Sequence, residues 1–147
     1  MARRFHLDQS GLERLATIIG QNLRRGAAIL LEGPLGAGKS TAARALIRAA
    51  CHAPELDVPS PSYTLVQTYE TPALKLHHFD LWRLDGPDAL FELGWDDATA
   101  DVVLVEWPDR LGDLRPANAL TMSIALAGEN MRAIEIAGWE GRQALLF

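Results

Sequence analysis

Gly33-Pro34-Leu35-Gly36-Ala37-Gly38-Lys39-Ser40 sets glycines, a lysine and a hydroxyl at the spacing G-x-x-x-x-G-K-[ST], the Walker A pattern. Each residue type answers a need of phosphate chemistry. Glycines let the backbone turn tightly and aim successive N–H groups at anionic oxygens. A helix beginning near Lys39 adds the positive end of its dipole. Lys39 is spaced to reach the β- and γ-phosphates of a nucleoside triphosphate, and the Ser40 hydroxyl is a hard oxygen ligand for Mg2+. Leu35, Gly36, Ala37, Gly38, Lys39, Ser40 and Thr41 form the expected nucleotide cradle.

Such a loop needs acids to hold the metal and orient water. Two apolar segments end in one: Leu76-His77-His78-Phe79-Asp80 and Val102-Val103-Leu104-Val105-Glu106. If these strands run parallel to Ile29–Leu31, both carboxylates emerge at the carboxyl edge of the sheet, beside the phosphate loop. Either acid could then take the Walker B role, touching Mg2+ directly or through water. His77 and His78 are neighbours on a strand and face opposite sides, so they are poorly placed to grip one metal. His78 is read as a packing or hydrogen-bonding neighbour of Asp80.

The elements that must position these groups are legible in the periodicity. Leu12, Leu15, Ala16, Ile19 and Leu23 recur at helical spacing between Asp8 and Leu23, with Asp8 or Ser10 as cap. Ala27 to Glu32 is a continuous apolar run that reads as a strand buried on both faces. The alanine-rich stretch Thr41–Ala50 reads as a helix. Tyr63–Tyr69 and Leu74–Phe79 flank a turn near Thr71-Pro72 and suggest a hairpin; Pro87–Leu93 suggests a short helix. Asp101–Glu106 is a second buried strand, and Leu120–Leu126 pairs with Ala133–Ala137 across Gly128–Asn130. This order predicts an α/β fold, a three-layer α/β/α sandwich with a mixed central sheet. Trp82 and Trp95 are read as core or partner-surface aromatics, Trp139 as either, near a ragged C-terminus, and Arg83 as a surface ion-pair former.

Composition sets the frame. The chain has 147 residues, 48% of them apolar and 22% charged, without repeat or linker, so residues 1–147 are expected to form a single domain. No apolar run is long enough to span a membrane, and Asp8 and Glu13 interrupt any signal-peptide core, so a soluble, cytoplasmic protein is expected. A net charge of −5 disfavours direct, strong binding to nucleic acid. Cys51 stands alone and forms neither an internal disulfide nor a cysteine zinc site; it is read as a small buried thiol.

Four blocks stand in order: the Walker A loop, Pro59-Ser60-Pro61-Ser62-Tyr63-Thr64-Leu65, His78-Phe79-Asp80-Leu81-Trp82-Arg83-Leu84 and Glu106-Trp107-Pro108, with Glu92-Leu93-Gly94 between the last two. Over essentially its whole length the chain resembles the TsaE family, bacterial ATPases of tRNA threonylcarbamoyladenosine biosynthesis. The resemblance implies a P-loop NTPase-like fold that binds ATP with Mg2+. It further implies partnership with TsaD, which transfers the threonylcarbamoyl group to tRNA, and with its scaffold TsaB, with tRNA met only through that complex. ATP turnover would reset the complex between cycles. In this sequence the implied roles fall on Lys39 for the phosphates, on Ser40 and Glu106 for Mg2+, and on Asp80 as the other acid of the metal site. Trp107 is implied to lie near the base, Ser62 in a switch-like loop facing the γ-phosphate, and Arg132 as a nucleotide contact.

The chain departs from the family pattern at Pro34, which replaces an aspartate, and at Ser40 and Ser62, which replace threonines but keep the hydroxyl. The turn Gly128-Glu129-Asn130-Met131-Arg132 stands in for a G-x-G-R sequence. Two other functions fit a phosphate loop: a small-molecule kinase and a non-enzymatic, ATP-gated switch. Kinases of this size generally carry an arginine-bearing lid, yet Pro87 to Asp101 holds no arginine and, between its ends, four acids: Asp88, Glu92, Asp96 and Asp97.

Overall fold

The computed structural model describes residues 2–147. Among these, seven strands form one sheet: β1 (Arg3–Leu7), β2 (Ala28–Glu32), β3 (Val66–Glu70), β4 (Lys75–Asp80), β5 (Val102–Glu106), β6 (Leu120–Leu126) and β7 (Arg132–Ala137). Their spatial order is β1-β7-β6-β2-β5-β4-β3. The centre, β6-β2-β5-β4, is parallel, while β3, β7 and β1 each pair antiparallel to a neighbour. The sheet is therefore mixed, as the hairpin and buried-run signals predict.

Two helices, α1 (Gln9–Gly20) and α2 (Lys39–Ala50), cover one face. Asp8 caps α1 by accepting a hydrogen bond from the Gly11 N–H at 2.8 Å. Leu12, Leu15, Ala16 and Ile19 of α1 and Ala42, Ala43, Leu46 and Ile47 of α2 pack on Ile29, Leu31, Leu104, Leu120 and Met122. The other face carries a 3-10 helix at Pro87–Leu93, a short α3 (Trp95–Thr99) and a second 3-10 segment at Pro108–Leu114. These bury Leu90, Trp95, Ala98 and Leu111 against Ala28, Leu30, Phe79, Val103 and Val105. The third layer thus lies over β2, β4 and β5. That double cover explains why β2 and β5 are apolar without interruption. On β6, by contrast, Leu120, Met122 and Ile124 are buried and alternate with half-exposed Thr121 and Ser123, as befits a strand covered on one side.

Some elements depart from expectation. The Pro87–Leu93 helix is 3-10 in type, with a left-handed Gly94 (φ 79°) turning the chain directly into α3. β1 was hidden by its length and edge position: Phe5 and Leu7 pack inward on the α1/α2 layer while Arg4 and His6 stay exposed. The C-terminus is not ragged: the segment after Gly138 forms a helix, α4 (Glu140–Leu146). Trp139 precedes it, its indole N–H donating to the Asn118 carbonyl and the Arg142 guanidinium lying 4.1 Å from its ring centroid. Trp95 is core, packed edge-on to Phe79. Cys51 is half-buried instead of fully enclosed, and burial raises its thiol pKa.

The contact between α1 and α2 depends on one missing side chain. A Cβ at Gly20 would sit 2.3 Å from the Leu46 carbonyl oxygen and 3.1 Å from the Ala49 methyl. Gly20→Ala should therefore lower stability by about 1–3 kcal/mol, although alanine is the better helix former. Urea denaturation reads this directly, and an unchanged or higher midpoint would contradict the close approach.

Candidate functional site

β2 delivers the chain into the glycine-rich loop, which hands it to α2 at Lys39. Gly33 has φ +148° and lies so near β6 that a Cβ would be 2.3 Å from the Ile124 carbonyl oxygen. Gly38, at φ +120°, is the N-cap of α2 and offers no side-chain cap, so the first N–H groups of the helix face outward without one. An uncapped N-terminus beneath a glycine loop is a ready anion seat. The side chain of Ala37 is buried, and its N–H donates to the Pro34 carbonyl at 3.1 Å. Leu35 projects from the loop into solvent.

Lys39 is buried and folds back beneath the loop, donating to the Gly33 and Pro34 carbonyls at 2.5 and 2.9 Å. Burial pulls its pKa below the ordinary lysine value, while the carboxylates of Glu106, Asp80 and Asp109 oppose that shift. The Trp107 ring centroid lies 4.0 Å from its ammonium, and Trp82 packs against Trp107 with centroids 4.4 Å apart. Trp107 adopts left-handed backbone geometry, φ 61°, where β5 ends and the chain must turn.

The two acids meet because β4 and β5 are parallel neighbours in a register that pairs Asp80 with Glu106, while Glu106 also sits opposite Leu31 of β2. Both are buried at the carboxyl edge, next to the loop. The Ser40 hydroxyl donates to Glu106 Oε1 at 3.3 Å. The Ser60 and Ser62 hydroxyls both donate to Asp80 Oδ2 at 3.2 Å, and the Trp82 N–H donates to Asp80 Oδ1 at 3.2 Å. From the far side of the loop Arg132, at the start of β7, donates through Nε to the Ala37 carbonyl at 2.7 Å.

A cleft of about 260 Å³ brings most of the expected residues together: Leu35, Gly36, Gly38, Lys39, Ser40, Thr41, Ser62, Asp80, Glu106, Trp107 and Arg132. A larger groove of about 530 Å³ between α1 and α2 shares only Thr41 with it. The donor set suits the groups implied for this site. A buried ammonium and an uncapped helix start match phosphate, and the oxygens of Ser40, Asp80 and Glu106 match a hard divalent cation. Among the described residues no three His, Cys, Asp or Glu side chains gather into a metal cage, and Mg2+ ordinarily needs only one or two carboxylates besides phosphate and water.

The expectation for His78 requires correction. Its partner is Glu106, with Nε2 2.7 Å from Oε2, not Asp80. Residues 78 and 106 lie on adjacent strands, where cross-strand reach outcompetes the two-residue spacing along β4. Ser60 and Trp82 also line the cleft, which the sequence reading missed. The signals were Ser60-Pro61-Ser62, whose hydroxyls share one side, and the position of Trp82 two residues beyond Asp80. Arg83 lies 4.9 Å from the Tyr63 ring centroid, a cation–π contact in place of the expected ion pair.

Arg132 ties β7 to the loop through a single carbonyl, so Arg132→Ala should loosen that loop. Hydrogen–deuterium exchange of a peptide spanning residues 34–39 should quicken while β2 stays protected; unchanged exchange would mean that the glycine turns hold the loop unaided.

The family model described as Threonylcarbamoyl adenosine biosynthesis protein TsaE matches residues 7–134. Three similar proteins are all named tRNA threonylcarbamoyladenosine biosynthesis protein TsaE. That of Rickettsia felis is 32% identical over 125 residues, covering 84% of this chain and 72% of the relative. That of Nostoc sp. is 30% identical over 141 residues, covering 92% and 85%. That of Haemophilus influenzae is 35% identical over 98 residues, covering 65% and 61%. The crystal structure of Bacillus subtilus YdiB shares the fold, with a TM-score of 0.76 at 24% identity over 99% of this chain and 91% of that one. A family match running from the end of β1 into β7, with relatives at 30% identity or more across most of the sequence, makes the chain a member of the TsaE family, proteins of tRNA threonylcarbamoyladenosine biosynthesis.

Proposed function

We propose that this chain is a Mg2+-dependent ATPase that serves threonylcarbamoyladenosine modification of tRNA in the cytoplasm, acting with TsaB and TsaD and meeting tRNA only through that assembly. The observation that carries the reading is the convergence in one cleft of the glycine-rich loop, the Lys39 ammonium and two carboxylates on paired strand ends. Its reaction is attack of water on the γ-phosphorus with departure of ADP, a chemistry in which a protein contributes mainly positioning and charge. The loop N–H groups and the start of α2 hold the phosphates, and Lys39 exchanges a loop carbonyl for a phosphate oxygen. Ser40 and Glu106 would hold Mg2+, with Asp80 as the neighbouring acid. When bound, that ion neutralises charge developing on the β- and γ-oxygens. Asp80, with Ser60 and Ser62 donating to one of its oxygens, is poised to orient the attacking water and couples it to the loop around Ser62. The base is proposed to lie beside Trp107, and Arg132 adds positive charge at the rim of the cleft.

One feature weighs against a kinase. The stretch that would supply a lid buries Leu90, Trp95 and Ala98 in the sheet core, leaving no arginine to swing over the loop. A purely ATP-gated switch differs from the ATPase only in whether turnover matters, and the same assay separates them.

Lys39→Ala should weaken ATP binding at least about 100-fold, because it removes the buried cation of the loop; tight binding by that variant would overturn the site. Glu106→Ala should lose far more hydrolysis than nucleotide affinity, and unchanged turnover would hand the metal to Asp80 alone. Wild-type protein should hydrolyse ATP slowly alone and faster with TsaB and TsaD. Absence of turnover with partner-dependent ATP binding would favour the switch, and phosphate transfer to a small acceptor the kinase.

A further inference from the structure

Outside the groups used above, the most constrained polar side chain is His78. It is 2% exposed, on β4 between parallel β5 and antiparallel β3, and its Nε2 lies 2.7 Å from Glu106 Oε2. Its Nδ1 is buried with no hydrogen-bond partner among the described residues. These facts fix where the ring carries hydrogen. A hydrogen on Nδ1 alone would bury an unsatisfied donor and turn the Nε2 lone pair toward a carboxylate oxygen, two penalties at once. A hydrogen on Nε2 is donated to Glu106 at good length, leaving only a bare acceptor at Nδ1.

Glu106 is thereby divided. Oε2 is held from inside the sheet by His78, and Oε1 is left on the side of Ser40, whose hydroxyl donates to it at 3.3 Å. A buried carboxylate without the inner donor would be free to rotate or to turn both oxygens outward. We infer that His78 is the positioning residue of the metal-site carboxylate: by donating through Nε2 it holds Glu106 in the one orientation that presents Oε1, together with the Ser40 hydroxyl, to Mg2+. The inference rests on the nucleotide-site reading above and adds a component that lies outside the cleft and touches no substrate. Groups that orient metal ligands from behind typically change metal affinity about 10- to 100-fold when removed.

The test compares two amides of different reach. In His78→Gln the side-chain nitrogen stands where Nε2 stands, whereas in His78→Asn it falls short of Glu106. The affinity of a non-hydrolysable ATP analogue is measured by calorimetry across free Mg2+ concentrations and in EDTA. The Mg2+ concentration giving half of the tightening should rise about 10- to 100-fold in His78→Asn and stay within about threefold of wild type in His78→Gln. Analogue affinity in EDTA should be alike in all three. Equal Mg2+ dependence in both variants would overturn the role of His78 and leave the nucleotide site standing. Wild-type protein that binds the analogue no tighter with Mg2+ than in EDTA would overturn the underlying site reading. Should either variant fail to fold by circular dichroism, long-range 15N–1H correlation spectra of the wild-type histidine rings decide the matter. A hydrogen on Nε2 of His78 supports the inference, and an Nδ1–H, Nε2-bare ring overturns it.

Discussion

Lys39, Asp80 and Glu106 are each no more than 5% exposed, and charge withdrawn from water survives only where opposite charge or hydrogen bonds replace the lost solvation. Here the replacement comes from several parts of the chain. Loop carbonyls take the ammonium, Ser60, Ser62 and the Trp82 N–H take Asp80, and Ser40 and His78 take Glu106. The strand order β2-β5-β4 sets both acids in register beside the loop. Covering layers on both faces of these strands keep water out and leave no cheap alternative for the charges.

The two ends of the sheet serve this centre in different ways. On one side β6 and β7 back the loop: Gly33 lies too near the Ile124 carbonyl to admit a Cβ, and Arg132 reaches the Ala37 carbonyl. On the other, β3 pairs with β4, and the Asp80 N–H donates to the Leu65 carbonyl, drawing the Ser60–Ser62 segment over the acid. A loop backed by rigid strands can present backbone dipoles that need little reorganisation when charge arrives.

Much of the fold was legible because periodicity and burial coincide. The uninterrupted apolar runs at 28–31 and 102–105 are strands covered on both faces, and the helical spacing from Leu12 to Ile19 is the inner face of α1. Legibility failed where an element is short or leans on distant partners. β1 has five residues at the sheet edge, and Phe147 at the far terminus packs edge-on against Phe5. α4 buries little of its own surface, and its anchors, Asn118 and Asn22, lie far away in sequence. The 3-10 form of residues 87–93 answers to the tight connection through Gly94, which local propensity does not encode.

For the site the division is sharper. Sequence alone determined the glycine-rich loop, since its glycines, lysine and serine are contiguous and their spacing is itself the geometry. It also determined that two acids end apolar strands, because each closes its own run; that both reach one edge depends on the parallel pairing of those strands. Only the tertiary structure decided that Asp80 and Glu106 face each other across one strand pair. Only it showed that Ser60 shares Asp80 with Ser62 and that His78 belongs to Glu106. The reason is physical: hydrogen bonds between strands are fixed by register and sheet order, and neither is written in the spacing of residues along one strand.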